Sequence, residues 1–122
     1  MNKWYWRDGT LAVNMSQPDW IEKMDLLEEK FRDFDYKVVK QEALSDGKWI
    51  STVWLGLDHR MLESGKPLIF ETMVFSKWGD YGELDMERYS TESEALAGHK
   101  RMVKKWEALS TPPTGKKERI EI

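Results

Sequence analysis

Three stretches of this chain set chemistry-bearing side chains inside runs that otherwise belong to a core. Residues 51–59, STVWLGLDH, end in Asp58-His59; residues 68–75, LIFETMVF, hold Glu71 among aliphatic and aromatic neighbours; residues 94–99, EALAGH, end in His99. An imidazole beside a carboxylate can move a proton, so His59 or His99 with Asp58 or Glu71 are the acid–base groups of any small phosphodiesterase built here. The same region can also bind without turnover. Trp54 offers a stacking ring, the Thr52 hydroxyl and the Asp58 and Glu71 carboxylates can meet hydroxyls or base edges, and His59, Arg60, Arg88, Tyr89 and His99 can supply cationic and ring contacts to a phosphorylated ligand.

Each of these residues has an ordinary structural explanation. A histidine on an apolar helix face is most often a core residue bonded to a carboxylate or carbonyl, and a buried Glu71 is satisfied by an ion pair with His99 or an arginine. His59 can be a plain loop residue, and Arg88-Tyr89 can belong to an edge strand. Ser51 and Ser90 lack the GxSxG setting of an activated serine, the run GKP at 65–67 is no phosphate-binding loop, and two histidines without an HExxH-type spacing predict neither a metal site nor a cofactor.

The elements that must position these groups follow from turn chemistry and periodicity. Trp4-Tyr5-Trp6, the Asp8-Gly9 turn and Leu11-Ala12-Val13 predict an N-terminal hairpin. Ser16 with Asp19 resembles a capping box, and Trp20, Met24, Leu27 and Phe31 fall on one face of a helix running to about Arg32. From Tyr36 the period becomes two: segments 36–44 and 48–57 flank the Asp46-Gly47 turn, strand 68–76 follows the loop 58–67, and Glu87-Arg88-Tyr89 adds a brief fourth strand after the loop 77–85. Ser90 or Thr91 caps a second helix, whose stripe is Ala95, Leu96, His99, Met102, Val103 and Trp106. The predicted fold class is α+β: an antiparallel meander of three to five strands packed against two helices, with the N-terminal hairpin. In the simplest register Leu57 opposes Leu68 and Trp54 opposes Glu71, which puts Thr52, Trp54, Gly56 and Asp58 on one face with Ile69, Glu71, Met73 and Phe75.

At 122 residues the chain predicts one domain over 1–110 and a tail, 111–122, whose alternation at Arg119-Ile120-Glu121-Ile122 suits pairing with an edge strand of this or a neighbouring copy. A net charge of -3 argues against nucleic acid as a partner. The absence of cysteine removes disulfide and thiolate chemistry and fits a reducing compartment. No signal sequence or membrane span is expected, because the opening MNKWYWRDGT has no apolar run. Seven tryptophans, an aromatic hairpin and the alternating tail give more adhesive surface than one core needs, and so predict a homo-oligomer.

The blocks DGKWISTVWLGLDH, PLIFETMVF and ERYSTESEALAGH, in that order over 46–99, resemble a family of small, mostly uncharacterised proteins of tailed bacteriophages and prophages. The opening WYWRDGTLAV is similar more loosely, and RMLESGK stands where the family has a glycine-rich loop. The resemblance implies a phage accessory protein acting in the cytoplasm of the bacterial host, and it implies no particular reaction. Accessory proteins of this size often counter host defence by capturing nucleotide-derived immune signals. The expected function is therefore a binding module that sequesters a cyclic dinucleotide or cyclic ADP-ribose-type molecule without turnover. The alternatives are a small phosphodiesterase degrading such a signal, and a virion or host-protein-binding component with no small ligand.

Overall fold

The computed structural model describes residues 3–60 and 65–110. The expected strand pairing of the tail 111–122 lies outside the described residues, as do positions 61–64 of the loop after His59. In chain order the elements are β1 (Lys3–Tyr5), β2 (Leu11–Asn14), α1 (Trp20–Phe31), α2 (Phe34–Lys37), β3 (Val38–Ala43), β4 (Trp49–Trp54), β5 (Phe70–Phe75), β6 (Glu83–Tyr89) and α3 (Glu92–Ala108). Strands β1 and β2 form the hairpin, and β3-β4-β5-β6 form an antiparallel meander, which is the α+β fold expected.

The hairpin turns where Asp8-Gly9 predicts: Gly9 takes a positive φ of 91°, and the Asp8 carboxylate accepts from the Thr10 N–H at 2.9 Å. Thr91 caps α3 through a full capping box with Glu94. At α1 the expected box does not form. Asp19 makes no side-chain cap bond, and Ser16 donates instead to Asn14 Oδ1, from its N–H at 3.0 Å and its hydroxyl at 2.7 Å. Two element boundaries also move. Asp33 accepts from Asp35 N and Tyr36 N, which starts the short helix α2 where a strand was expected and delays β3 to Val38. Strand β6 begins at Glu83, within the segment expected to be a loop.

The register differs from the expected one by a single residue. Trp54 opposes Phe70, Thr52 opposes Thr72, and Glu71 opposes Val53, not Trp54. The cause lies beyond the strand end, where Gly56 takes a positive φ of 79° and breaks the regular ladder before Leu57 can pair in line with Leu68. A slip of one residue exchanges the faces of a strand, so Glu71, Met73 and Phe75 leave the face of Trp54 and join Trp49, Ser51 and Val53.

The two faces of the meander therefore carry different cross-strand rows. On the helix face lie Lys40-Thr52-Thr72-Glu87, Glu42-Ile50-Val74-Asp85 and Trp54-Phe70-Tyr89. On the opposite face lie Val38-Val53-Glu71-Arg88, Gln41-Ser51-Met73-Met86 and Ala43-Trp49-Phe75-Glu83. Helix α3 packs across all four strands of the helix face, burying Ala95, Gly98, His99 and Met102. Only a glycine fits at 98, because a Cβ there would lie 2.2 Å from the Tyr89 ring. Hairpin, α1 and α2 extend the core around Trp54, with Val13, Leu27, Phe31 and Tyr36. Helices α2 and α3 pack on the helix face, and so do Phe31 of α1, stacked on Trp54, and Tyr5 of β1, whose carbonyl takes the Trp54 indole N–H. No described helix packs on the opposite face.

Candidate functional site

The sequence-predicted site residues separate into three places. The first is the interface between α3 and the sheet. His99 Nδ1 lies 2.6 Å from Thr52 Oγ1, Thr52 Oγ1 lies 2.5 Å from Thr72 Oγ1, and the Tyr89 hydroxyl donates to Thr72 Oγ1 at 3.0 Å. The other imidazole nitrogen, Nε2, sits 2.8 Å from Glu42 Oε1. One assignment satisfies every group: Tyr89 donates to Thr72, Thr72 to Thr52, Thr52 to His99 Nδ1, and His99 Nε2–H to the Glu42 carboxylate. It requires a neutral imidazole. Burial holds the His99 pKa below its ordinary 6.5, while the Glu42 carboxylate pulls the other way without prevailing. Burial likewise pushes the Tyr89 hydroxyl up to about 12.

A carboxylate, an imidazole and a hydroxyl in line have the composition of a nucleophilic triad, but the hydroxyl must be reachable. Thr52 and Thr72 are fully buried, and the described residues enclose no pocket. The chain of hydrogen bonds therefore fixes α3 on the sheet. The expected pairing of Glu71 with His99 does not occur, because the register puts them on opposite sides of the sheet.

Trp54 belongs with this buried group. It is fully buried, stacked on Phe31 at 4.7 Å and 22°, crossed by Tyr36 at 5.1 Å and 88°, and its indole N–H donates to the Tyr5 carbonyl at 2.9 Å. No ring surface of Trp54 is left for a ligand to stack on. Tyr89 is buried in the same core.

The second place is the strand end at Asp58-His59-Arg60. Asp58 accepts from the N–H groups of Arg60 at 3.0 Å and Leu68 at 2.9 Å and from Arg60 Nε at 2.5 Å. Burial alone would raise its pKa, but the hydrogen bonds and the guanidinium together carry it below the usual carboxylate value. Arg60 also reaches the Gly65 carbonyl. His59 Nδ1 donates to the Leu57 carbonyl at 2.8 Å, and its backbone N–H donates to the Leu68 carbonyl at 2.9 Å. These contacts close the loop on itself.

The third place is the open face. Glu71 is buried, and its carboxylate accepts from Arg88 Nε at 2.9 Å across the β5–β6 pair. The expectation of a buried Glu71 satisfied by an arginine is met, and the register supplies the partner. Only the Nε contact holds Arg88, so among the described residues its two terminal amino groups carry no hydrogen bond. Beside this pair, Gln41 Nε2 donates to Ser51 Oγ at 2.8 Å, and Trp49 and Phe75 oppose each other at the far end. The open face thus holds a guanidinium, an amide, a hydroxyl and two aromatic rings within three adjacent rows.

Gln41, Trp49, Ser51 and Phe75 were not among the expected ligand-binding residues, and neither was Glu42. Strand alternation places Trp49, Ser51 and Phe75 correctly once the true register is known. Glu42 gives no local signal, since its partner lies 57 residues away. Among the described residues no cluster of three histidine, cysteine or acidic side chains could hold a metal, and no helix is long and apolar enough to cross a membrane. No family model, curated protein or solved structure matches the chain.

Proposed function

We propose that this chain is a binding module that sequesters a nucleotide-derived signal, such as a cyclic dinucleotide or a cyclic ADP-ribose-type molecule, without turnover. In this reading it serves as a counter-defence accessory protein in the cytoplasm of a bacterial host. That setting rests on the resemblance of residues 46–99 to phage accessory proteins. The observation that carries the binding reading is Arg88, which among the described residues is held by Glu71 through Nε alone. A guanidinium anchored in this way keeps its terminal N–H groups for two phosphate oxygens, the bidentate contact arginine makes best. Trp49 and Phe75 supply ring faces for a base, and Gln41 and Ser51 supply donors and acceptors for its edge.

Binding is favoured over catalysis because His99 and Asp58, two of the acid–base candidates, are occupied by the fold. His99 and Thr52 are sealed behind α3, and Asp58 is held by Arg60 and Leu68. The test is incubation of the protein with a panel of cyclic dinucleotides and cyclic ADP-ribose, removal of free ligand, and heat release of what was retained. Recovery of intact molecule supports sequestration. Recovery of cleaved products points to a phosphodiesterase, and no depletion of any member points to a protein-binding role.

A further inference from the structure

The open face is a platform, and a platform alone is a poor trap. A small-molecule site ordinarily buries some 70–90% of its ligand, whereas a flat sheet can cover one side only. The described residues enclose no pocket, and no described helix or hairpin lies over the rows of Arg88, Ser51 and Trp49. Either the face binds nothing, or something supplies a second wall.

We infer that the second wall is the same face of a second copy of this chain, so that the ligand-binding unit is a two-fold dimer. Three features of the face fit this occupant. First, its middle and far rows are largely apolar: Met73, Trp49 and Phe75 are partly exposed and Met86 is 38% exposed. Second, Glu71 and Arg88 neutralise each other within one row, so two copies of this row meet without opposing net charge, although the chain as a whole carries -3. An isologous contact requires this kind of self-compatibility. Third, the extent approaches that of an interface once the border of the face is included. Four strands at about 4.8 Å spacing, each about six residues at about 3.4 Å, give a flat footprint roughly 20 Å on a side, about half of the ~800 Å² per partner of a standard interface. The adjoining β5–β6 segment adds Trp78, Tyr81 and Leu84, which are 74%, 96% and 46% exposed. Exposed aromatic side chains beside an apolar face are the usual material of an interface.

The dimer stands on these features alone; its role as a ligand trap rests on the binding proposed above. The full chain is examined by sedimentation velocity at micromolar concentration, alone and with cyclic di-GMP or cyclic ADP-ribose. The expected result is a dimer, binding one ligand per two chains. Because the chain has no cysteine, Ser51→Cys, near the middle of the face, reports on proximity cleanly: it should form an intermolecular disulfide on mild oxidation, whereas Lys100→Cys on exposed α3 should not. Met73→Glu should give a monomer with unchanged far-UV circular dichroism. A monomer under all conditions, or Ser51→Cys crosslinking no faster than Lys100→Cys, overturns the inference. A monomer that retains one ligand per chain overturns it while leaving the binding proposal standing. A dimer of the unsubstituted chain that retains no ligand, with Ser51→Cys crosslinking as expected, keeps the interface and removes the binding proposal.

Discussion

Thr52 and His99 meet at 2.6 Å inside the seam between α3 and the sheet, both fully buried, and the direction of their hydrogen bond decides the protonation of the imidazole. With Thr52 donating to Nδ1, Tyr89 gives its proton to Thr72, and the Thr72 and Thr52 hydroxyls each give one proton and accept one. A proton added at Nδ1 would face the Thr52 O–H and force each bond of the chain to reverse.

Stability should therefore fall as the solution is acidified through the histidine range. The sign follows from linkage: the folded His99 pKa lies below the unfolded value of 6.5, so the unfolded chain takes up a proton first and is favoured. The stability present above pH ~6.5 is lost progressively as the pH falls toward and through the folded pKa. Of the charges facing the ring, the Glu42 carboxylate moderates the effect and Lys40 adds to it. Asp58, Asp85 and Glu92 also have lowered values, but from ordinary values of 3.8, 3.8 and 4.5, so their losses come at lower pH. Thermal midpoints between pH 7.5 and 5.5 should drop in the native chain, and the slope should flatten in His99→Gln. An equal slope in both would show that His99 is not the titrating group.

The contact of Gly98 with Tyr89 sets a second expectation. Gly98→Ala would drive a methyl group to 2.2 Å from the Tyr89 ring, and overpacking of this kind costs about 1–3 kcal/mol. Tyr89→Ala destabilises by leaving a cavity, but it also removes the clash. The double variant should lose less than the sum of the two single losses, as urea denaturation would measure. Strict additivity would mean that α3 does not approach β6 at this point.

Local chemistry made much of the scaffold legible. The Asp8-Gly9 turn, the Thr91–Glu94 box and most of the α3 stripe are specified by residues within a few positions of one another, although Leu96, expected in that stripe, is 45% exposed. The face assignment was not legible, because it depends on Gly56, whose left-handed conformation shifts the register by one and cannot be read from alternation. The same slip explains the candidate site. Trp54 and Glu71, adjacent in the expected register, lie on opposite faces, so the polar-aromatic cluster expected there divides into a buried relay and an open platform.

The tryptophans test that division. Trp54→Ala empties a fully buried site stacked on Phe31 and should cost about 3–5 kcal/mol of stability. Trp49→Ala, on the open face, should change stability far less and weaken a nucleotide ligand by about 1–3 kcal/mol through lost stacking. Denaturation and calorimetric titration with the retained member of the ligand panel separate the two. A Trp54→Ala protein that stays stable and loses only affinity would return the site to the helix face.

The Glu71–Arg88 pair should respond asymmetrically to the loss of either partner. The Glu71 side chain is 8% exposed and that of Arg88 is 32% exposed, so water can take over for Glu71 at the guanidinium but cannot take over for Arg88 at the carboxylate. Arg88→Ala leaves a buried charge without its donor and should cost about 1–3 kcal/mol, whereas Glu71→Gln keeps an acceptor oxygen near Nε and should cost less than about 1 kcal/mol. Arg88→Lys should recover part of the stability, because an ammonium can still reach Glu71. It should not recover phosphate affinity, because the planar fork that meets two oxygens is gone. Urea denaturation at pH 7 and titration of the three variants give both readouts. Equal stability losses in Arg88→Ala and Glu71→Gln would contradict the burial difference, and full ligand affinity in Arg88→Lys would show that the guanidinium does not hold the phosphate.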